Sequence, residues 1–530
     1  MTGGTSHQPI RIGLRYHQAG QFQEAEAVYR QILEREPNNP YVLNLLGVLA
    51  HQTGRQQAAI QWIGRAISIK PAVAEFHNGL GEAYRASGQL DQAMACYEKA
   101  IALKRGCVEA HINLGNALQD KGLLDEAVAA YGAAIQIRPD SAEAHNNLGS
   151  ALRQKGQLDE AVAAYREAIR LKPDYADAYG NLGGALAVNG QADDAIAACE
   201  RAIQLKPDLA EAHFTRSVMR LLKGDFAQGW AEYEWRWRRK DAPPPRWNFP
   251  QPIWRGPDPS GRTILVHAEQ GFGDMLQFVR YAPLLAGRGA KVIVECHPQL
   301  KSLLQGMKGV ERVLAAPEPL PPFDLHAPLL SLPPAFGTTL ETIPAEVPYL
   351  RADPDLVEAW RARLAADGGP STMLRVGLAW AGRSTYKADR DRSVSLSALA
   401  PLAEVKGVRF HSLQKGEPAR QARTPPPGMN LVDLTDELKD FADTAALIAN
   451  LDLVVSVDTA VVHLAGAMAR PVWTLIPSVP DWRWLLDRED SPWYPTMRLF
   501  RQTARGDWGG VVNRVAHELR NLAACNSRRT

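Results

Sequence analysis

Glycine returns every 34 residues through the first half of the chain, at Gly20, Gly54, Gly88, Gly122, Gly156, Gly190 and Gly224. A second ladder keeps the same step at Gly47, Gly81, Gly115, Gly149 and Gly183. A third is written in proline at Pro37, Pro71, Pro139, Pro173 and Pro207, with Arg105 standing where one proline is missing. Alanines follow at Ala59, Ala93, Ala127, Ala161 and Ala195. A rule of this kind comes from stacked helix pairs. A small residue sits where two helices touch, a glycine ends one helix, and a proline closes the unit. One pair cannot bury its own apolar face, so neighbours stack into a superhelix with a concave side.

Thirty-four residues is the tetratricopeptide length, and the spacing predicts an α-solenoid over residues 6–243. The stretches "HINLG", "HNNLG" and "YGNLG" put Asn113, Asn147 and Asn181 at one repeat position, two residues before the packing glycine. Asn44 and Asn78 lie one position earlier. Such amides either bond local backbone or form a row that grips an extended peptide, and the residues alone leave both open. After Pro207 the repeat decays into "GDFAQGWAEYEWRWRRKDAPPPR", where Trp230, Tyr233, Trp235 and Trp237 recur on one helical face. A terminal repeat needs an atypical seal, so this stretch reads as a degenerate cap, followed by a linker over residues 244–261.

From Arg262 the texture changes. "TILVH", "AKVIVECH", "VERVLAA", "LRVGLAW", "GVRFHSLQ", "LVVSV" and "PVWTLI" read as strands, separated by amphipathic helices such as "DMLQFVRYAPLLAGRG" and "DTAVVHLAGAMA". The Pro-rich "PEPLPPFDLHAPLLSLPPAF" reads as connecting loop. Short apolar runs alternating with helices mean parallel sheets, hence two Rossmann-like α/β blocks over residues 262–350 and 351–520. Ligands of such sheets sit beyond the carboxyl ends of the strands. That rule selects three loops: "EQGFGD", "AGRSTYKADRDR" and "SVDTA".

In the first loop, Gly271-Phe272-Gly273 with Glu295 further on is a partial dinucleotide fingerprint. The third glycine is replaced by Leu276, and His267 to Gln270 separate the strand from the first, so a nicotinamide site does not follow. Asp274 is then a helix cap or an acid facing the cleft, and the two are compatible. In the third loop Asp458 and Thr459 meet a helix N-terminus whose N–H groups suit a phosphate, and His463 lies one turn along the same side. The middle loop crowds Arg383, Lys387, Arg390 and Arg392 with Ser384 and Thr385. It is either a solvated charge cluster or a phosphate grip. Asp389-Arg390-Asp391, formally a metal-binding D-x-D, sits among arginines and reads as a salt-bridged loop. Trp482, Trp484, Trp493 and Tyr494 are either a structural lid or the lining of an acceptor pocket.

Bulk properties narrow the class. A net charge of +2 gives no electrostatic case for nucleic acid or an anionic membrane. Five scattered cysteines (Cys96, Cys107, Cys199, Cys296, Cys525) form no zinc spacing or disulfide framework and fit a reducing compartment. No apolar run approaches the ~20 residues of a membrane span, and the first residues carry no apolar leader, so the expected location is the cytoplasm.

At this point a resemblance becomes specific. "SVDTAVVHLAGAMARPVWTLI" resembles the D-T-G-x-x-H-L-A-A segment of the lipopolysaccharide heptosyltransferase family, which has the two-domain GT-B fold, with Ala460 in place of the usual glycine. "GFGDMLQFVRYAPLLAGRGAKVIVE" resembles that family's first strand–loop–helix. The layout as a whole resembles bacterial tetratricopeptide-fused glycosyltransferases and, more distantly, O-linked GlcNAc transferases. The resemblance implies an inverting glycosyltransferase. Asp274 is the general base and His463 a further catalytic residue. Gly271, Gly273, Ser384, Lys387, Arg392, Asp458, Thr459 and Ala460 hold a nucleotide-diphosphate sugar. It implies no metal and no cofactor beyond that co-substrate, and a protein acceptor held along Asn113, Asn147 and Asn181. Two alternatives stand beside it: a non-catalytic repeat scaffold with a decayed sugar-nucleotide domain, and a transferase acting on a lipid-linked saccharide.

Overall fold

Seven loop glycines take a backbone that other residues avoid. Each member of the first ladder has positive φ, from 74° at Gly20 to 84° at Gly224, where an L side chain strains the chain by about 1–2 kcal/mol. The second ladder is a helix–helix contact. A Cβ on Gly115 would stand 2.5 Å from the ring of Tyr131, and one on Gly149 2.8 Å from that of Tyr165. Both tyrosines are fully buried, so each glycine makes room for the aromatic of its partner helix.

The computed structural model describes residues 7–242, 248–366, 373–383 and 389–526; Ser384 and Lys387, two of the expected donor contacts, lie outside the described residues. The chain divides into two units, Met1–Ala212 and His213–Thr530. Among the described residues of the first, twelve α-helices run from His7–Gln18 to Ala192–Leu205 as the expected solenoid. The helix Ala210–Leu222 leads into the second unit. The aromatic stretch read as a solenoid cap belongs to that second unit. It forms a helix, Phe226–Tyr233, and a 3-10 turn, Glu234–Arg238. Trp230 meets Trp482 edge to face at 5.2 Å, and Phe226 lies 6.2 Å from Trp493.

The second unit holds two all-parallel sheets. The first contains β1 (Thr263–His267), β2 (Lys291–Cys296), β3 (Val310–Ala315) and β4 (Leu325–Pro328) in the order β3-β2-β1-β4. The second contains β5 (Leu374–Ala379), β6 (Val408–Ser412), β7 (Leu431–Val432), β8 (Leu453–Val457), β9 (Val472–Ile476) and β10 (Met497–Arg501) in the order β10-β9-β8-β5-β6-β7. The central strands are buried on both faces, β8 at every residue, which is why they read as unbroken apolar runs.

The structure departs from the sequence reading in several places, one of them the two-residue edge strand β7. β4 lies inside the Pro-rich stretch taken as loop, because four residues ending in Pro328 suffice for an edge of a parallel sheet. Part of the expected linker adds to that edge: Ile253 bridges to His326, and Trp254 is buried at 1% exposure. β10 was hidden by the charges of Arg498 and Arg501, an ordinary feature of an edge strand. The helix expected over "DMLQFVRYAPLLAGRG" breaks into Phe272–Phe278, a 3-10 turn at Val279–Tyr281, and Ala282–Gly287. Pro283 there cannot supply the N–H that a continuous helix needs. Among the described residues no helix is long and apolar enough to cross a membrane.

Candidate active site

β1 and β8 deliver their loops to the same place. The helix after β1, Phe272–Phe278, starts at Gly271, whose N–H donates to Asp274 Oδ2 at 3.0 Å, so the acid caps its own helix. The helix after β8, Ala460–Ala467, starts at Thr459. The two helix starts touch through Gly273. A Cβ there would stand 2.9 Å from His463 Cδ2 and 3.7 Å from the Ala460 Cα. Gly273 is therefore the point of close approach that lets an acid from one sheet face a helix N-terminus of the other.

Asp274 is part-buried, with 17% of its side chain exposed. Burial pushes its carboxyl above the usual range, and the Arg483 guanidinium, which donates to Oδ1, pulls part of the way back. Asp458 directly follows β8 and is 8% exposed. Burial, then the charge of Asp481, pushes its carboxyl up as well, against Arg392, the Trp484 indole and Arg483. Thr459 turns its hydroxyl to Ser456 Oγ at 3.1 Å and caps none of the helix N–H groups, so its side chain leaves the first turn open where an anion would sit.

His463 is 4% exposed. Its ring stacks on Trp484 at 5.3 Å, Nδ1 lies 3.0 Å from the Tyr494 hydroxyl, and Nε2 is 3.9 Å from Asp458 Oδ1. Burial, reinforced by Arg483, Arg280 and Arg392, holds the imidazole well below its ordinary pKa, so at neutral pH it is uncharged. Arg392 donates from Nε to Asp389 Oδ1 at 3.1 Å and reaches Asp458 and His463 electrostatically. Asp389 also accepts from Ser393 at 2.9 Å, and Asp391 pairs with Arg505 at 3.0 Å, so the D-x-D is salt-bridged, on a short helix Asp389–Arg392 where a loop was expected.

The tryptophans are packing. Trp482 is 3% exposed, and Trp484, Trp493 and Tyr494 are fully buried. Sequence reasoning gave no role to the polar groups among them. Arg483 binds Asp274, Gln277 and Asp481. Arg280 donates to the carbonyls of Pro344 at 3.0 Å and Trp493 at 2.8 Å. Arg236 of the aromatic stretch holds Glu269, two residues past β1, at 3.0 Å. The one signal for Arg483 was its place between two tryptophans in "DWRW". In the repeats, each of the expected amides donates to an amide of the preceding repeat: Asn113 Nδ2 to Asn78 at 3.2 Å, Asn147 Nδ2 to Asn116 at 3.2 Å and Asn181 Nδ2 to Asn146 at 3.0 Å.

Residues 397–484 match glycosyltransferase family 9 (heptosyltransferase). Residues 10–74, 81–190 and 176–209 match tetratricopeptide repeat families. The chain thus joins tetratricopeptide repeats to a glycosyltransferase family 9 segment, and that segment supports sugar transfer. It contains Asp458, Thr459, Ala460, His463 and Arg483 and stops short of Arg392 and Asp274. Protein FlbA of Caulobacter vibrioides is 30% identical over 339 residues, 59% of this chain and 55% of that one. The chain therefore spans about half the length of that curated relative. Among solved structures, MamA is 29% identical, covering 31% of this chain and 97% of its own with a TM-score of 0.29. A thermophilic tetratricopeptide protein of Thermus thermophilus is 23% identical, covering 34% and 99% with a TM-score of 0.31.

Proposed function

We propose that the chain is an inverting, metal-independent glycosyltransferase of GT-B type that moves a sugar from a nucleotide-diphosphate donor to a protein acceptor. The observation that carries this reading is the contact between the two helix starts at Gly273 and His463. It sets a carboxylate of one sheet against an uncapped helix N-terminus of the other. The donor diphosphate lies at that N-terminus beside Asp458, Thr459 and Ala460, with Arg392 meeting its charge. Asp274 takes the proton of the acceptor hydroxyl as its oxygen bonds to the anomeric carbon. The bond from that carbon to the phosphate oxygen breaks, and the nucleoside diphosphate leaves with the electron pair. Its charge is taken up by helix N–H groups and arginine. One displacement inverts the configuration. His463, neutral and fixed by Tyr494 and Trp484, orients Asp458.

The acceptor binds along the amide row at Asn113, Asn147 and Asn181, whose spacing by one repeat suits an extended backbone. The cysteine pattern fits a reducing cytoplasm. The test is the configuration of the product. Its anomeric proton, read by NMR after incubation with a turned-over nucleotide sugar, is expected to show inversion, at a rate unchanged by EDTA. Retention of configuration, or loss of rate with the chelator, contradicts the reading.

A further inference from the structure

The helix that carries Asp274 is gripped from the other sheet by a single guanidinium. Arg483 follows β9 in "VPDWRW", and only 9% of its side chain is exposed. Nε donates to Gln277 Oε1 at 2.8 Å, Nη1 to Asp481 Oδ1 at 2.8 Å, and Nη2 to Asp274 Oδ1. Asp274 and Gln277 stand three residues apart on one helix face, so one planar fork holds two side chains of the same turn. The Arg483 backbone N–H also donates to Asp481 Oδ1 at 3.0 Å, so one carboxylate steadies both the guanidinium and the chain that carries it. The guanidinium lies over the rings of Trp482 at 4.6 Å and Phe278 at 5.4 Å. Trp482 is itself wedged between Trp230 and Trp493.

This grip settles how the acid is presented. Asp274 Oδ2 is tied to the Gly271 N–H and Oδ1 to Arg483. Each carboxylate oxygen has two lone pairs, so one remains on each for an incoming hydroxyl, in a plane fixed from both ends. Burial alone favours the protonated acid, and a protonated acid accepts no proton. Arg483 supplies the opposing charge, and burial does not strip it of its own proton, because Asp481 and Asp274 outweigh that effect.

We propose that Arg483 is a positioning residue of the transfer site, fixing the plane of the Asp274 carboxylate and serving as its counter-charge. This rests on the reading of Asp274 as the base. Lysine keeps the charge and loses the fork; methionine loses both. The full chain is assayed for hydrolysis of UDP-N-acetylglucosamine, UDP-galactose, GDP-mannose and ADP-glucose, water standing in for the acceptor, and the variants are compared on the best donor.

Arg483→Met is expected to lower kcat about 100-fold, with the donor KM within about threefold. The acid limb of its kcat/KM profile shifts up by about one pH unit. Arg483→Lys keeps the wild-type acid limb and still loses about tenfold in kcat, which also controls for folding. A role in packing alone would move neither limb. An Arg483→Met enzyme with the wild-type pH profile and kcat overturns the proposal while leaving the base in place. Undiminished turnover by Asp274→Ala, or no turnover of any of the four donors by the wild type, removes the reading beneath it and the proposal with it.

Discussion

Asp274 is asked to do two things that pull in different directions. As a cap it must hold a backbone N–H, and as the proposed base it must keep lone pairs and charge for a substrate. The structure divides the labour by oxygen atom, Oδ2 to Gly271 and Oδ1 to Arg483. His463 faces a similar choice and gives up its charge. The folded protein holds it neutral, whereas in the unfolded chain it protonates near pH 6.5. As pH falls below about 6.5 the unfolded state binds the extra proton, and stability drops until the lower folded pKa is reached. His463→Phe keeps a ring against Trp484 and removes that proton. The gap in unfolding temperature between wild type and variant should therefore change between pH 7 and pH 5. A gap constant over that range contradicts the assignment. His463 was legible in the sequence because it follows D-T by one helical turn. Arg483 was not, because its partners Asp274 and Gln277 lie some two hundred residues earlier and meet it only through folding.

At the scale of elements, periodicity carried most of the fold. The solenoid helices and the seven strands named from apolar runs are present. β4, β7 and β10 were missed because each is an edge or near-edge strand, short or broken by charge, and is defined by its neighbour rather than by its own pattern. Helix contacts make firmer predictions. Gly115→Ala pushes a methyl toward the fully buried Tyr131 ring and should cost about 1–3 kcal/mol as overpacking, read by urea unfolding. An unchanged midpoint would show that the second ladder is not a contact. Gly273→Val should instead act on function. Its side chain meets the His463 ring, which Trp484 and Tyr494 hold, so the helix starts part and transfer falls by at least about tenfold. Full activity in that variant would mean the contact does not set the cleft.

At the scale of the whole molecule, the proposed function gives the two units separable tasks: amides on the repeats for a polypeptide, and sheet ends for a nucleotide sugar. Replacing Asn113, Asn147 and Asn181 together by alanine should raise the KM for a protein acceptor and leave hydrolysis of the donor by water unchanged. Equal loss of both would mean the repeats do not select the acceptor. Sequence alone reached this layout because both the 34-residue period and the D-T-x-x-x-H segment are local patterns. What it could not reach was how Arg280, Arg483 and Trp482 meet across the seam between the two sheets, because their partners are distant in the chain. The most direct measurement is made on Asp274→Asn. Transfer from a nucleotide sugar should fall by about 10²–10⁴-fold, while the same donor still raises the unfolding temperature as it does for the wild type. Transfer at the wild-type rate would contradict the account, because Asp274 is its proposed base.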